Sequence, residues 1–437
     1  MLKSLIQKLC SLKTVKYRKS LLLYALFLTY IGVRPIVKYY ETIEVIPRIN
    51  FTLIVILGLG IYGFYSISNL EKISIHKNGF RFFSLGVFLY IVIIQIVYLP
   101  NILANNIKFI DYLHVTSETL FSSTLMWLIG SKINEIDELM KNHRVRRGTF
   151  ILFILFFLTI CIGIILKYKN NYGVGFFIFL DGAQNYLMIA DSFAIFSILV
   201  LNYANGKKNK AFIFFVSVVC LYATLSRTSL YLYVFVTLVS MTVKKLKFKK
   251  NIKFNFSNLM FTITMSLILL ILTIMFFDDI SQRQQFSLDN NIMFILLVNR
   301  NSDVSALARN TIFEDGIRDI KSNLIFGDFM VEVKRSGTRG GYIHNYLSYW
   351  QQYGIMVFFS INIIIIYTLI KTFNRFVRNY NSDKIQFIFQ LSLFIIISAV
   401  FSRAYIYPYT WLVFSIASNF NLGEKNNEKS KCTNASF

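Results

Sequence analysis

Acidic residues, histidines and cysteines, which often form catalytic or metal-binding sites, are all scarce in this sequence. The 437 residues include 22 aspartates and glutamates against 46 lysines and arginines, with four histidines and four cysteines. None of them recurs with the spacing of a zinc site, no Gly-x-x-x-x-Gly-Lys-Ser/Thr sequence is present, and no two aspartates are separated by one residue. Nucleotide hydrolysis and metal-bound nucleotide-sugar chemistry therefore lack support, and we expect no metal and no cofactor.

Apolar residues are plentiful instead, and they occur in long runs. They make up 55% of the chain, whose mean hydropathy of +0.54 predicts an all-α, polytopic integral membrane protein. Crossing about 30 Å of hydrocarbon takes about 20 helical residues, and apolar windows close to this length recur about twelve times. They lie at 21–38, 49–69, 82–100, 112–131, 149–167, 185–203, 210–225, 228–243, 257–277, 346–370, 385–402 and 404–420.

The net charge of +24 is distributed over alternate connections between these windows, so nucleic-acid binding is not needed to explain it. By the positive-inside rule, this alternation puts both termini in the cytoplasm and the 278–343 loop outside. The positions of the prolines agree with this topology. All four fall at predicted outer ends of spans, where the missing backbone N–H destabilises the helix least. The chain then divides into a basic N-terminus (1–20), nine spans (21–277), a large outer loop with catalytic elements (278–345), three spans (346–420) and a tail (421–437).

The outer loop contains one segment with helical periodicity. Its apolar side chains recur at Phe313, Ile317, Ile320 and Leu324. This spacing predicts a surface helix from Asp303 to Asn323 with one apolar stripe. Gly316 weakens this prediction, because glycine disfavours the helix interior. Arg309 falls on that stripe and is expected to point inward, whereas Arg318 is turned about 180° away, toward water.

Topology separates the four histidines. His76 and His143 fall in basic cytoplasmic loops, where solvation explains them, and His114 at the outer end of a span has no accompanying motif. His344 follows a glycine pair, precedes Asn345 and stands just before an apolar helix. It therefore places a titratable imidazole at the outer mouth of the bundle, which makes it the candidate catalytic residue.

Arginines near the outer face are the candidate anion-binding residues. Arg227 stands in a Ser-Arg-Thr turn between two apolar runs, where it either snorkels to the surface or binds phosphate through its guanidinium. Arg403 at an outer helix end leaves the same two alternatives open. The basic, glycine-rich run with Arg335 and Arg339 either cradles phosphates or is simply solvated.

Acidic residues in or near the spans have a simpler interpretation. Glu118, Asp181 and Asp191 are expected to be buried with partners, because an unpaired charge inside a membrane is costly.

Several of these features together resemble the O-antigen polymerase and O-antigen ligase superfamily. They are about twelve spans, one large outer loop late in the chain, the Ser226-Arg227-Thr228 turn, and a series that begins at Arg309. The series continues through Phe326-Gly327 and His344-Asn345-Tyr346-Leu347 to Gln352-Tyr353-Gly354-Ile355. The chain departs from the ligase-like pattern before Phe326-Gly327, where a proline is common and none is found.

The resemblance implies a GT-C-type glycosyltransferase in the bacterial inner membrane, with loop 278–345 in the periplasm. Its donor and acceptor would be undecaprenyl-diphosphate-linked oligosaccharides, used without metal or nucleotide. Arg227 and Arg309 would hold the diphosphate, and His344 would accept the proton of the acceptor hydroxyl. Further possible substrate-binding residues are Arg335, Arg339, Asn345 and Arg403.

The resemblance favours a polymerase over a ligase. The run from Gly341 to Asn345, with Ser348-Tyr349-Trp350-Gln351, looks closer to polymerases, and a chain-length regulator would be a family partner. A ligase would transfer the glycan to lipid A-core instead. A lipid-linked oligosaccharide flippase or polysaccharide exporter is the alternative from another class, and the absence of an internal duplication argues against it.

Overall fold

The computed structural model describes residues 17–42, 44–47, 49–68, 79–104, 108–169, 184–224, 226–248, 304–337 and 340–419. These residues are almost entirely helical and include no strand, which confirms the predicted all-α class for the described part of the chain. The predicted window at 257–277 and residues Asp181 and Arg339 lie outside the described residues.

The described residues form fifteen helices. They are α1 (Tyr17–Glu41), α2 (Phe51–Ser68), α3 (Gly79–Ala104), α4 (Phe109–Ser117), α5 (Ser123–Ser131), α6 (Ile133–Lys141), α7 (His143–Lys169), α8 (Gln184–Tyr203), α9 (Lys207–Ala223), α10 (Arg227–Phe248), α11 (Val304–Ser322), α12 (Val331–Ser336), α13 (Leu347–Arg378), α14 (Asp383–Phe401) and α15 (Tyr409–Asn419). A π-helical turn, Thr29–Val33, lies within α1, and a second, Glu118–Ser122, joins α4 to α5.

Five helices of the described part are long and apolar enough to cross a membrane. They are Tyr17–Glu41, Gly79–Pro100, His143–Gly163, Leu347–Arg378 and Asp383–Phe401. Shorter apolar helices cover Phe51–Phe64, Leu187–Tyr203 and Thr228–Lys244. The multi-pass helical character therefore agrees with the sequence, while the number of twelve spans and the GT-C arrangement stay predictions.

Charged side chains of the predicted cytoplasmic connections gather at one end of the bundle. Asp137 on the amphipathic α6 accepts from Lys141 at 2.7 Å and from Tyr203 at 2.8 Å. Lys210 pairs with Asp383 at 3.2 Å. Polar contacts at this end thus join α6 to α8 and α9 to α14, as the alternation of charge predicts for one face of a membrane protein.

The described part of the predicted outer loop packs on α13 at the opposite end. Gly354 interrupts α13 with a φ of 80°, and Gly327 in the loop has a φ of 66°. A Cβ added to Gly327 would lie 2.4 Å from the Gly354 nitrogen, so the two backbones touch where no side chain fits. This contact fixes where the loop meets the helix.

Helix α11 agrees closely with the predicted surface helix, since it runs over Val304–Ser322. Arg318 is exposed, as predicted, and Ile320 is buried. Phe313 and Leu324 remain 43% and 48% exposed, so only part of the predicted stripe packs on the protein. The contact centres on Gly316, where a Cβ would lie 2.2 Å from Ile343 Cγ1.

The packing of α5 against α15 depends on a glycine. A Cβ on Gly130 would lie 2.3 Å from the Leu412 carbonyl oxygen and 2.9 Å from Ser415 Cβ. The absent side chain lets the two helices approach closely, as small residues commonly do between membrane helices.

We therefore expect Gly130→Ala to lower the free energy of unfolding by about 1–3 kcal/mol, because the added methyl group has no space. Thermal unfolding of the purified protein in detergent measures this. The matched control is Gly148→Ala in α7, where nothing lies within 4 Å of the added Cβ. Alanine should stabilise that helix by up to about 1 kcal/mol. Equal effects of the two substitutions would contradict the close helix packing.

Candidate functional site

Two buried glutamines in the first turns of α13 hold the described part of the predicted outer loop in place. Gln352 accepts from the backbone N–H of Met330 at 2.8 Å and donates to Glu332 Oε2 at 2.9 Å. Gln351 accepts from the N–H of Ile343 at 3.1 Å and donates to Asp319 Oδ2 at 2.8 Å. Because buried amides left unpaired are costly, these bonds tie α11, α12 and the segment before His344 to one helix.

His344 lies at the edge of a cluster of aromatic side chains. It is partly buried, and its ring centroid is 5.3 Å from that of Tyr342. Tyr342 in turn lies 5.4 Å from Tyr405, which lies 5.6 Å from Tyr353 on α13. The imidazole is therefore held against a rigid aromatic wall while part of it remains accessible.

Asn345 and Ser348 set the position of His344 relative to α13. Asn345 Oδ1 accepts from the N–H of Leu347 at 2.9 Å, a local side-chain turn at the start of the helix. Ser348 Oγ accepts from the backbone N–H of Tyr405 at 2.8 Å. Asn345 thus has a structural role at the helix start, and its predicted substrate contact stays a prediction.

Arg403 is buried in a bidentate ion pair with Asp191 on α8. Arg403 Nε lies 2.5 Å from Asp191 Oδ2, and its Nη2 lies 2.7 Å from Oδ1. The side chains are 8% and 1% exposed. The carboxylate already compensates the charge of this arginine, and the expected burial of Asp191 with a partner is observed.

The same ion pair reaches the beginning of α10. Ser229 Oγ donates to Asp191 Oδ1 at 2.6 Å, and Arg403 Nη2 donates to Ser229 at 3.2 Å. Arg227 is the first residue of α10, two residues before Ser229. The backbone of Arg227 therefore lies beside the segment that carries Arg403, although its side chain, like that of Arg309 on α11, is outside the described part.

Arg335 on α12 is also engaged. It pairs with Asp319 of α11, donates to the carbonyl of Gly341 at 3.1 Å and lies 3.7 Å from Asp315. Arg335 thus closes α12 onto α11 and onto the segment that leads to His344. Any contact of Arg335 or Arg339 with a substrate remains a prediction.

Glu332 is a buried carboxyl that the sequence did not draw attention to. It is 1% exposed, and Oε1 has no hydrogen-bond partner among the described residues. Burial raises the pKa of Glu332 above its usual value, against the opposing effects of the Gln352 hydrogen bond and of Arg335. The only signal in the sequence was an acidic residue between two valines, Val331 and Val333.

A second ion pair, Arg34–Glu118, lies among the spans. Arg34 Nη2 donates to Glu118 Oε1 at 3.0 Å, and the side chains are 14% and 28% exposed. The guanidinium carbon lies 4.8 Å from the ring centroid of Tyr30. Glu118 was expected to have a partner and has one, but Arg34 was not singled out from the sequence. An arginine inside the apolar window 21–38 was the available signal.

Similarity to known proteins does not identify this chain. No protein-family model matches the sequence, and no curated protein or solved structure is significantly similar to it. In the described ranges, no three His, Cys, Asp or Glu side chains converge in a way that could hold a metal ion. The interpretation of the site therefore rests on its own geometry.

The buried carboxyl predicts a pH-dependent effect of Glu332→Gln on stability. A raised folded-state pKa makes the contribution of glutamate largest below its usual value of 4.5, and this contribution is lost as pH rises through the raised value. Glutamine keeps the bond to Gln352 and cannot ionise. We expect little change in the midpoint of thermal unfolding near pH 4 and a clear increase over the wild type near pH 8.

The control for this experiment is Glu314→Gln on α11, where the side chain is exposed. It should shift the midpoint little and equally at both pH values. A Glu332→Gln curve parallel to the wild type across this range would contradict a raised pKa of the buried carboxyl.

The Arg403–Asp191 pair predicts a non-additive effect. Arg403→Gln or Asp191→Asn alone should destabilise the protein by about 3–5 kcal/mol, because each leaves an uncompensated buried charge. The double variant should lose less than the sum, which unfolding of the four proteins in detergent measures. Arg318→Ala, at a side chain 75% exposed, is the control and should change stability by less than about 0.5 kcal/mol. Strict additivity of the two buried substitutions would contradict the pairing.

Proposed function

We propose that the protein is an O-antigen (surface polysaccharide) polymerase that joins undecaprenyl-diphosphate-linked oligosaccharide repeat units. In this proposal it is a GT-C-type glycosyltransferase with about twelve spans, and its site faces the periplasm from the bacterial inner membrane. An O-antigen ligase would use the same donor and differ in its acceptor.

The observation that carries the proposal is the convergence of distant candidate residues on the segment between α14 and α15. Arg403 in this segment contacts Ser229, two residues after Arg227. Tyr405 in the same segment donates its N–H to Ser348, four residues after His344. An arginine at a helix start and a partly accessible imidazole thus share one end of the bundle, which supports a common site.

The chemistry needs charge stabilisation and a base. The acceptor hydroxyl oxygen attacks the anomeric carbon of the donor sugar, the bond from that carbon to the diphosphate oxygen breaks, and His344 takes the hydroxyl proton. Undecaprenyl diphosphate leaves with the bonding electron pair. Arg227 and Arg309 would stabilise its charge, each contact contributing about 1.5–3 kcal/mol, and a positioned base typically contributes about 10²–10⁴ in rate.

His344→Ala, Arg227→Ala and Arg309→Ala should each abolish glycan polymer while the protein still accumulates in the membrane. The readout is a gel of surface glycan from a deletion strain that carries each variant, with immunoblotting for protein level. Arg318→Ala, on the same helix as Arg309 but turned to solvent, is the matched control and should preserve the polymer. Full-length polymer from both the His344 and the Arg309 variants would overturn the enzyme proposal.

The deletion strain itself separates the alternatives. Loss of a polymerase should leave a single repeat unit on the lipid core, whereas loss of a ligase should leave bare core and accumulated lipid-linked polymer. Accumulation of a single-unit lipid intermediate on the cytoplasmic side would support a flippase instead.

A further inference from the structure

We propose that Arg34 forms an anion-binding site, with Glu118 as its resting partner, that takes the diphosphate of a prenyl diphosphate lipid. The identity of the lipid as substrate or product rests on the proposed function. The site itself rests on the contacts of Arg34.

Arg34 lies where a charge is expensive. It stands within Tyr17–Glu41, a helix long and apolar enough to cross a membrane. Insertion of an arginine at mid-membrane costs about 2.5–3.5 kcal/mol, and less near the interface. One hydrogen bond to a partly exposed carboxylate and one contact with the ring of Tyr30 offset only part of this cost, which leaves room for a further ligand.

The guanidinium of Arg34 is far from satisfied. Within the described part of the chain, Glu118 Oε1 is its sole hydrogen-bond acceptor, and the buried Nε has no partner. A guanidinium carries N–H donors on every nitrogen, arranged as a fork that matches two oxygens of a phosphate. Donors remain available for such a ligand.

Arg403 provides the contrast inside the same protein. Its Nε and Nη2 both bond Asp191, and its Nη1 donates to the carbonyl of Ser402 at 2.9 Å. That arginine is 8% exposed and bidentate, whereas the Arg34–Glu118 pair is more exposed and joined by one bond. The Arg403–Asp191 pair, in which every guanidinium nitrogen donates a hydrogen bond, suits a structural role. The Arg34–Glu118 pair, with a single hydrogen bond, suits exchange of Glu118 for another anion.

Both partners stand next to π-helical turns. Thr29–Val33 ends at Arg34, whose N–H donates to Thr29, and Glu118 opens the turn Glu118–Ser122. Pro35 lacks the N–H that a regular helix would use at this point, which favours the wider turn. Such turns re-aim side chains and are frequent at functional sites.

The pair also lies near the candidate active site. The guanidinium lies over the ring of Tyr30, Tyr30 packs against Tyr409 at 5.8 Å, and Tyr409 bonds to Ser192, the neighbour of Asp191. Asp191 pairs with Arg403, two residues before Tyr405. Arg34 thus lies at the same end of the bundle as His344, on a helix long and apolar enough to cross a membrane. This position fits a phosphate group on a lipid better than a free phosphate from solution.

Binding of farnesyl diphosphate to the purified full-length protein in detergent micelles tests the proposal, independently of any glycan synthesis. Arg34→Gln should weaken binding by about tenfold or more, as expected for loss of a charge-assisted contact. Glu118→Gln should strengthen it severalfold, because the competing carboxylate is removed while the side-chain shape is kept. Arg34→Lys should fall between the wild type and Arg34→Gln, since it keeps the charge without the fork.

The opposite signs of the two substitutions separate a binding site from a structural ion pair. Asp383→Asn, at the exposed Lys210–Asp383 pair at the opposite end of the bundle, is the control and should give no increase in affinity. Weaker binding in both Arg34→Gln and Glu118→Gln, or no change in either, would overturn the proposal.

Two further probes identify the ligand. Farnesol should bind equally to the wild type and Arg34→Gln, since it has no phosphate, and inorganic pyrophosphate should bind far more weakly than the lipid. Equal binding of pyrophosphate would overturn the lipid assignment. The two proposals can fail separately. If lipid binding depends on Arg34 and Glu118 as expected while the His344→Ala variant still makes polymer, the proposed catalysis is refuted and the anion-binding site is retained.

Discussion

The buried ion pair between Arg403 and Asp191 is the interaction on which the arrangement of the His344 end of the bundle depends. It joins residues 212 positions apart and links α8, the start of α10 and the segment before α15. A buried pair contributes little net stability compared with apolar packing, because its desolvation offsets its attraction. Its effect is to define one geometry: any other packing of these helices would leave a charge unpaired. Through Tyr405 and Ser348 that geometry extends to the start of α13, and so to His344.

The polar side chains of this bundle differ in how completely their hydrogen-bonding capacity is used. The glutamines at the start of α13 use both ends of their amides, and Arg403 uses all of its nitrogens. Such complete networks hold backbone in place, because breaking any bond leaves a buried group unpaired. Arg34 Nε and Glu332 Oε1 are buried without a partner among the described residues. Both atoms belong to side chains that can carry a charge, unlike the hydroxyl and amide atoms that share this state.

Local pattern predicted the helices well and the contacts poorly. Apolar length located the windows on which α1 to α5, α7 to α10 and α13 to α15 lie, and the helical period located α11 to within one residue at each end. The amphipathic α6 falls between two windows and was not predicted. These features depend on hydrophobicity and spacing, which are local. The partners of Arg34 and Asp191 depend on which helices pack together, which no local pattern encodes. Gly316, which weakened the helix prediction, proved to be the contact point with Ile343, because propensity does not measure the benefit of close approach.

Glu332 and His344, the two titratable side chains near the aromatic cluster, have different environments and therefore different roles. Glu332 is buried, keeps one bond to Gln352 and has a raised pKa, so it holds its proton more firmly than an ordinary glutamate. A general base must reach the hydroxyl that it deprotonates. His344 is partly accessible at the edge of the cluster, whereas Glu332 is only 1% exposed. In the proposed reaction, His344 therefore takes the proton, and Glu332 acts through the position of the loop that carries the imidazole.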